Sequence, residues 1–357
     1  MRSLYFYSTL RASGEDNNFL LVRLVACVFV IIGHSYFLAP RECGHCVDFM
    51  LLLTRSWPSH VLGVQILFLV SGFLVATSYR RHRSFVVFML LRAVRILPGY
   101  FVCILLMGLA VGLFYTEQPW RSYLAHIDLH RYLLNNLSLR MFVDNLPDVR
   151  FSARQGGATV NGSLWTIPVE VRLYLLVGLA GFVGVLRTCC SANLVIAALL
   201  AVLVYMIEFA GGGSVAQLSL FFLMGVFFCC NSTLIPLSMP TLLVMLVGAF
   251  IIHGQPGFRY YLAFVLSYAV LSFAYAPRVP LPVWLEDYSY GIYLYGYPAQ
   301  QIVARHYAES GPYELMMMGL PIACIMGLFS WHAIEKPAIR YIRMRLGQAH
   351  LVPGAAP

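Results

Sequence analysis

The sequence has little charge. Only 11% of its 357 residues are Asp, Glu, Lys or Arg, whereas 60% are hydrophobic. A soluble globular domain carries about 25% charged residues, so an ordinary water-facing surface is excluded and an integral membrane protein is expected. Lysine is almost missing: Lys336 is the only one, and the other basic residues are arginines. These stand between apolar runs and form no continuous tract. That excludes a nucleic-acid-binding face despite a net charge of +9. Period-two alternation is missing too. The apolar runs are continuous, which excludes membrane β-strands and predicts an all-α, polytopic membrane protein. Residues 1–18 hold Arg2, Arg11, Glu15 and Asp16 but no long apolar core. The first membrane helix is therefore expected to serve as an uncleaved signal. No internal repeat, low-complexity tract or linker to a soluble domain interrupts the chain.

Paired metal-ligand motifs are absent as well. Cys43 and Cys46 form a CGHC stretch with His45 inside it and His60 nearby. One CxxC without a second pair is not a zinc signature, so no metal is expected; a loop disulfide and two free thiols both stay open. Cys189-Cys190 and Cys229-Cys230 read as small apolar fillers at helix ends.

What the chain does have is about ten long apolar segments. They run near 19–39, 61–79, 97–115, 164–186, 192–209, 214–231, 236–253, 259–276, 287–306 and 314–334. Arginines follow the second, fourth, eighth and tenth segments, at Arg80, Arg81, Arg83, Arg187, Arg278, Arg340, Arg343 and Arg345. With both termini in the cytosol, all of these fall inside, as positive-inside topology requires. The 116–163 connection then faces outward; a connection of that length crosses largely regardless of its charge. The expected organisation is a cytosolic tail 1–18, a membrane domain 19–339 built around a polar cavity, and a basic cytosolic tail 340–357.

The first segment carries two residues that do not suit lipid, Arg23 and His34. Their spacing of eleven residues is three helical turns plus about 20°, which places both on one face, about 16 Å apart along the axis. Such a face is costly unless it lines a protein interior; snorkelling of Arg23 and a headgroup position for His34 is the alternative. Arg92 and Arg95, at i and i+3, share another helix face behind the apolar run Phe85 to Leu91, and Pro98-Gly99 is expected to break or bend that helix. Paired arginines in a partly dry site suit phosphate. Glu170 lies inside the fourth segment, after Trp165, and is expected at the depth of His34; an ion pair with Arg172 is the structural alternative. A histidine oriented by a carboxylate is a general-base arrangement. Ser71-Gly72 permits close helix approach or ligand access. Five tyrosines between Tyr288 and Tyr297, Tyr293 among them, suit either sugar stacking or an interfacial belt. Glu335-Lys336-Pro337 is expected to end the last span.

These stretches together resemble the acyltransferase 3 family of bacterial membrane O-acyltransferases. The resemblance rests on Arg23 with His34, FLVSGFL from Phe68, LRAVRILPGY from Leu91, SLWTIPVE from Ser163, SYGIYLYGYP from Ser289 and IEKP from Ile334. These occur in family order over nearly the whole chain. Val171 stands where relatives often have a second acid, and Gly296-Tyr297-Pro298 replaces a His-Trp-Pro-like end. The resemblance implies transfer of an acyl group, most often acetyl, from cytosolic acyl-CoA to a carbohydrate hydroxyl at the outer face of the inner (cytoplasmic) membrane. No tightly bound cofactor is implied. His34 would be the base, with Glu170 beside it. Arg23, Arg92 and Arg95 would hold acyl-CoA. Trp165, Tyr293 and Tyr297 would meet a glycan or lipid-linked glycan acceptor, and Ser71, Gly72, Glu335 and Lys336 would be structural. A transporter or flippase for a lipid-linked sugar or small anion, with Arg23, Arg92 and Glu170 along its path, is the other class. It would be expected to show two halves related by repeated broken helices, and these are not seen in the sequence.

Overall fold

A computed structural model of the chain describes residues 17–39, 47–82, 84–152 and 157–347. Residues 1–16 and 348–357 of the two tails, the Cys43 to Cys46 stretch, Arg83 and Arg154 lie outside the described residues, whereas the start of the second tail, from 340, continues a helix. Helices dominate: α1 (Phe19–Leu38), α2 (Phe49–Thr54), α3 (Ser59–His82), α4 (Phe85–Leu105), α5 (Gly112–Tyr115), α6 (Trp120–Ala125), α7 (Ile127–Leu137), α8 (Thr166–Phe182), α9 (Cys189–Glu208), α10 (Gly213–Cys230), α11 (Met239–Ile251), α12 (Phe258–Ala274), α13 (Ser289–His306), α14 (Pro312–Ser330) and α15 (Lys336–Arg345). Among the described residues the only extended pairing is two isolated bridges, Thr116 with Val149 and Asn145 with Thr159.

Each of the ten expected segments holds a helix, but not all have the length and apolarity of a membrane span. Six stretches do: Phe19–Leu38, Ser59–Arg81, Phe85–Tyr115, Cys189–Glu208, Gly213–Cys230 and Pro312–Arg345. Helices α11 and α12 are apolar but shorter, and α8 and α13 carry charge and hydroxyl groups.

Two expected helix ends do not occur. Pro98 lies inside α4, and the helix continues through a π turn, Leu106–Val111, into α5. Proline removes one backbone hydrogen bond. Here the surrounding turns are packed, with Ile96, Gly99 and Tyr100 all buried, and the chain does not break. Likewise Glu335-Lys336-Pro337 does not stop α14. A π turn, Trp331–Glu335, leads directly into α15, where Pro337 occupies a first-turn position whose N–H has no intrahelical acceptor anyway. The 116–163 connection is also more ordered than a loop. It forms α6 and α7, and buried Tyr123 donates to Gly108 O at 2.7 Å on the π turn.

The helices group into two compact units. The first contains the chain up to Ala26, Leu62–Phe85 and Leu173–Glu286. Within it α3 crosses α10 at backbone contact: a Cβ on Gly72 would lie 2.0 Å from Phe222 O, and one on Gly225 would lie 2.1 Å from Leu69 O. Small residues at such a crossing are what membrane helix packing requires. Ser71 adds a 2.8 Å hydroxyl contact with Tyr174. Ser71-Gly72 is thus a packing device. Asn18 ties α1 to the end of α12 through Phe273 O and Ala276 O, and Arg80 caps α10 at Cys229 O.

The second unit contains Cys27–Val61, Val86–Arg172 and the chain from Asp287. Its centre is α13, buried at nearly every position from Ser289 to Ala304. Asn161 donates to Leu294 O at 2.8 Å and Tyr293 Oη to Ser163 O at 2.9 Å, so the approach to α8 is fixed against that helix. Asn136 organises the end of α7 by bonding Val143 at both its N–H and its carbonyl.

Candidate active site

Polar side chains gather in two places along α13, both within the second unit. The first is around His34. On α1, Gly33 allows α3 to approach so closely that a Cβ there would lie 2.2 Å from His60 N. The His34 and His60 rings consequently stack, centroids 5.3 Å apart and planes 29° apart. Tyr297 presents its edge to His34 at 5.0 Å. Gln300 locks α13 to α1 beside this group, donating to Ile31 O at 2.9 Å and to Ser35 Oγ at 2.6 Å. His34 is half-buried. Its Nδ1 is buried with no hydrogen-bond partner, and the same holds for Nδ1 of His60.

Carboxylates come near this group from unexpected elements. Tyr297 shares a hydrogen bond with Thr159, and Thr159 Oγ1 donates to Asp144 Oδ2 at 3.0 Å. On the other side Asp48 accepts from Ser59 N at 2.8 Å and Ser59 Oγ at 2.7 Å, next to His60. Its charge acts on His60.

The second place is around Arg95. Its guanidinium donates to Asp287 Oδ2 at 2.5 Å and Glu335 Oε2 at 3.2 Å, and sits over the rings of Trp331 and Tyr290 at 5.2 and 5.9 Å. Ser330 Oγ holds the other Glu335 oxygen at 2.8 Å. Arg92 shares the helix face with Arg95, and the charges of both are felt at Arg343 of α15. Arg95 thus meets two carboxylates, with Arg92 and Arg343 near enough for the charges to interact. Arg95 is held by acids, so the fork expected to await phosphate is already engaged.

Glu170 is half-buried on α8, and its charge acts on Tyr290 and Tyr293. It faces the middle of α13, whereas the ring neighbours of His34 are His60 and Tyr297. Arg172 is exposed and donates to Arg140 O at 3.2 Å. Trp165 is half-buried just before α8, and Tyr293 is buried, bonded to Thr166 and Ser163. Arg23 is half-buried in the first unit, on α1. Among the described residues no group of three His, Cys, Asp or Glu side chains is placed to hold a metal ion.

Sequence reasoning missed Asp48, Asp144, Asp287 and Arg343 as neighbours of these sites. Asp48 could have been suspected: an Asp shortly before an apolar run, with Ser59-His60 beginning the next, is a capping pattern. The others meet through long-range packing, for which spacing gives no signal.

Tyr290 and Tyr297 are seven residues apart on α13, about 10 Å along its axis. The helix therefore carries a guanidinium-rich end, near Arg92 and Arg95, and an imidazole end at His34.

The chain is 26% identical over 352 residues to an O-acetyl transferase of Shigella phage Sf6, covering 90% of this chain and 96% of that protein. It is 34% identical over 172 residues to Nodulation protein 10 of Rhizobium leguminosarum bv. viciae, covering 46% of this chain and 44% of that one. No solved structure matches. Residues 17–334 match the acyltransferase 3 family, described as an acyltransferase domain, and the chain belongs to that family of membrane acyltransferases.

Proposed function

We propose that this chain moves an acyl group, acetyl in the first instance, from cytosolic acyl-CoA to a hydroxyl of an exported or surface carbohydrate such as exopolysaccharide or O-antigen. The single observation that carries the reading is the His34 ring held between His60 and Tyr297, the latter on the same α13 helix whose Tyr290 meets Arg95. Family membership and the O-acetyl transferase relative support it.

In this reading the acceptor O–H gives its proton to His34 while its oxygen attacks the thioester carbonyl. The C–S bond then breaks, the acyl group stays on the acceptor oxygen, and the proton leaves with the CoA sulfur. A positioned base contributes about 10²–10⁴ in rate. Arg92 meets the donor phosphates, and Arg95, held by Asp287 and Glu335, fixes the face from which Arg92 projects. Glu170 faces the tyrosines of α13, where Trp165, Tyr293 and Tyr297 shape the acceptor path. The chain lies in the bacterial inner membrane with both termini cytosolic, α8, α11, α12 and α13 completing ten spans.

The test supplies membranes with acetyl-CoA and envelope glycan stripped of esters by mild alkali, following free thiol and glycan mass. Thiol release that depends on glycan, with a matching gain of acetyl on glycan, is expected. Glycan movement across the bilayer without thiol release would overturn the reading.

A further inference from the structure

The proposed base lacks the partner such a base usually has. An imidazole acting at one ring nitrogen is commonly oriented and balanced through the other. His34 Nδ1 is buried without a hydrogen-bond partner, and the aromatic group stacked on its ring is His60, at 5.3 Å. The stack is built in. Gly33 is the contact that admits His60, since any side chain there would collide with the His60 backbone at 2.2 Å. The start of α3 is in turn pinned by Asp48, which takes both the N–H and the hydroxyl of Ser59, the residue before His60. Asp48 is 6% exposed and also caps α2 through Met50 N at 2.9 Å.

We propose that His60 is a positioning residue for His34, and that Asp48, His60 and His34 form a carboxylate–imidazole–imidazole line that stabilises the charged His34 ring during transfer. The inference deepens the acyltransferase reading and rests on it. When His34 takes the acceptor proton, a positive charge appears in a partly dry interior. A second imidazole at stacking distance is polarisable, and the Asp48 carboxylate, whose charge acts on His60, offsets part of the new positive one. The groups facing the pair from the remaining elements are Tyr297 of α13, with Thr159 and Asp144 behind it. Among the described residues these supply no cation. The line needs no further reactant: no bond beyond those of the transfer is made or broken, and the proton still leaves with the CoA sulfur.

The experiment uses the full chain in membranes, with acetyl-CoA and alkali-stripped envelope glycan as probes. His60→Phe keeps the ring, the volume and the stack but removes both nitrogens. We expect kcat to fall about tenfold with the KM for acetyl-CoA unchanged. Asp48→Asn, which removes the charge and one of the two acceptor oxygens, should lower kcat in wild type and have little further effect in His60→Phe, as coupled groups do. His60→Phe with wild-type kcat would overturn the proposal, because a purely packing role tolerates Phe. Fully additive losses from Asp48→Asn and His60→Phe would overturn it too. If His60→Phe failed to fold, His60→Gln, which retains a donor and an acceptor, must restore more activity than His60→Leu. Equal activities would contradict the line. A wild-type protein that releases no thiol at all would sink the acyltransferase reading and this inference together. Active wild type with an indifferent His60 sinks only the inference.

Discussion

Replacing Arg95 by Ala should damage the fold more than it damages donor affinity. Arg95 is 21% exposed and lies between two acids, Asp287 at 19% and Glu335 at 1%. Removing one partner of a buried ion pair costs about 3–5 kcal/mol, because the other charge is left uncompensated. The exposed limit for such a pair is about 0–1 kcal/mol. The Glu335 contact belongs near the lower end of the buried range, since the arginine still reaches solvent, and the Asp287 contact near the exposed limit. The sum is about 3–4 kcal/mol. Most of that loss comes from the Glu335 charge, so Arg95→Ala combined with Glu335→Gln should recover a large part of it. The assay is the thermal midpoint of detergent-purified protein by fluorescence-detected size exclusion. The expected order is wild type, then the double variant, then Arg95→Ala. Stability unchanged in Arg95→Ala, or a double variant less stable than the single one, would refute the assignment of Arg95 to the carboxylates.

Arg92 should behave differently: Arg92→Lys keeps the charge but loses the planar fork, so the KM for acetyl-CoA should rise, and competition by adenosine 3′,5′-bisphosphate should weaken in parallel. Gly72→Leu should lower the yield of folded protein sharply, because its Cβ would meet Phe222 O at 2.0 Å, whereas Ser71→Ala should cost only about 1 kcal/mol. In sealed oriented vesicles acetyl-CoA should support transfer only from the cytosolic side and an impermeant glycan only from the other. Activity with both substrates confined to the cytosolic side would contradict that arrangement.

Much of the fold was legible because membrane helices must be long and apolar. The helices at Phe19–Leu38 and Gly213–Cys230 fall within a residue of the apolar runs that announced them. Where the reading failed, packing overrode a local signal. Pro98 and Pro337 look like helix stops, yet buried neighbours and a preceding π turn carry the chain through both. At the site, His34 was legible from its cost in lipid, and Arg92 with Arg95 from their spacing. Their partners were not. Nothing local in the sequence says that Glu335 closes on Arg95 from 240 residues away, or that His60 stacks on His34 across Gly33. Glu170 was matched to His34 by depth alone. Depth does not fix which face of α13 a side chain meets, and its charge falls on Tyr290 and Tyr293.

The most direct test of the account is acyl transfer by His34→Ala. The protein would be purified, shown monodisperse, and supplied with isotope-labelled acetyl-CoA and alkali-stripped envelope glycan. The account predicts a loss of labelled glycan of about 10²–10⁴-fold with acetyl-CoA binding retained. Labelling at the wild-type rate by folded His34→Ala protein would contradict it, and would remove the imidazole from the chemistry.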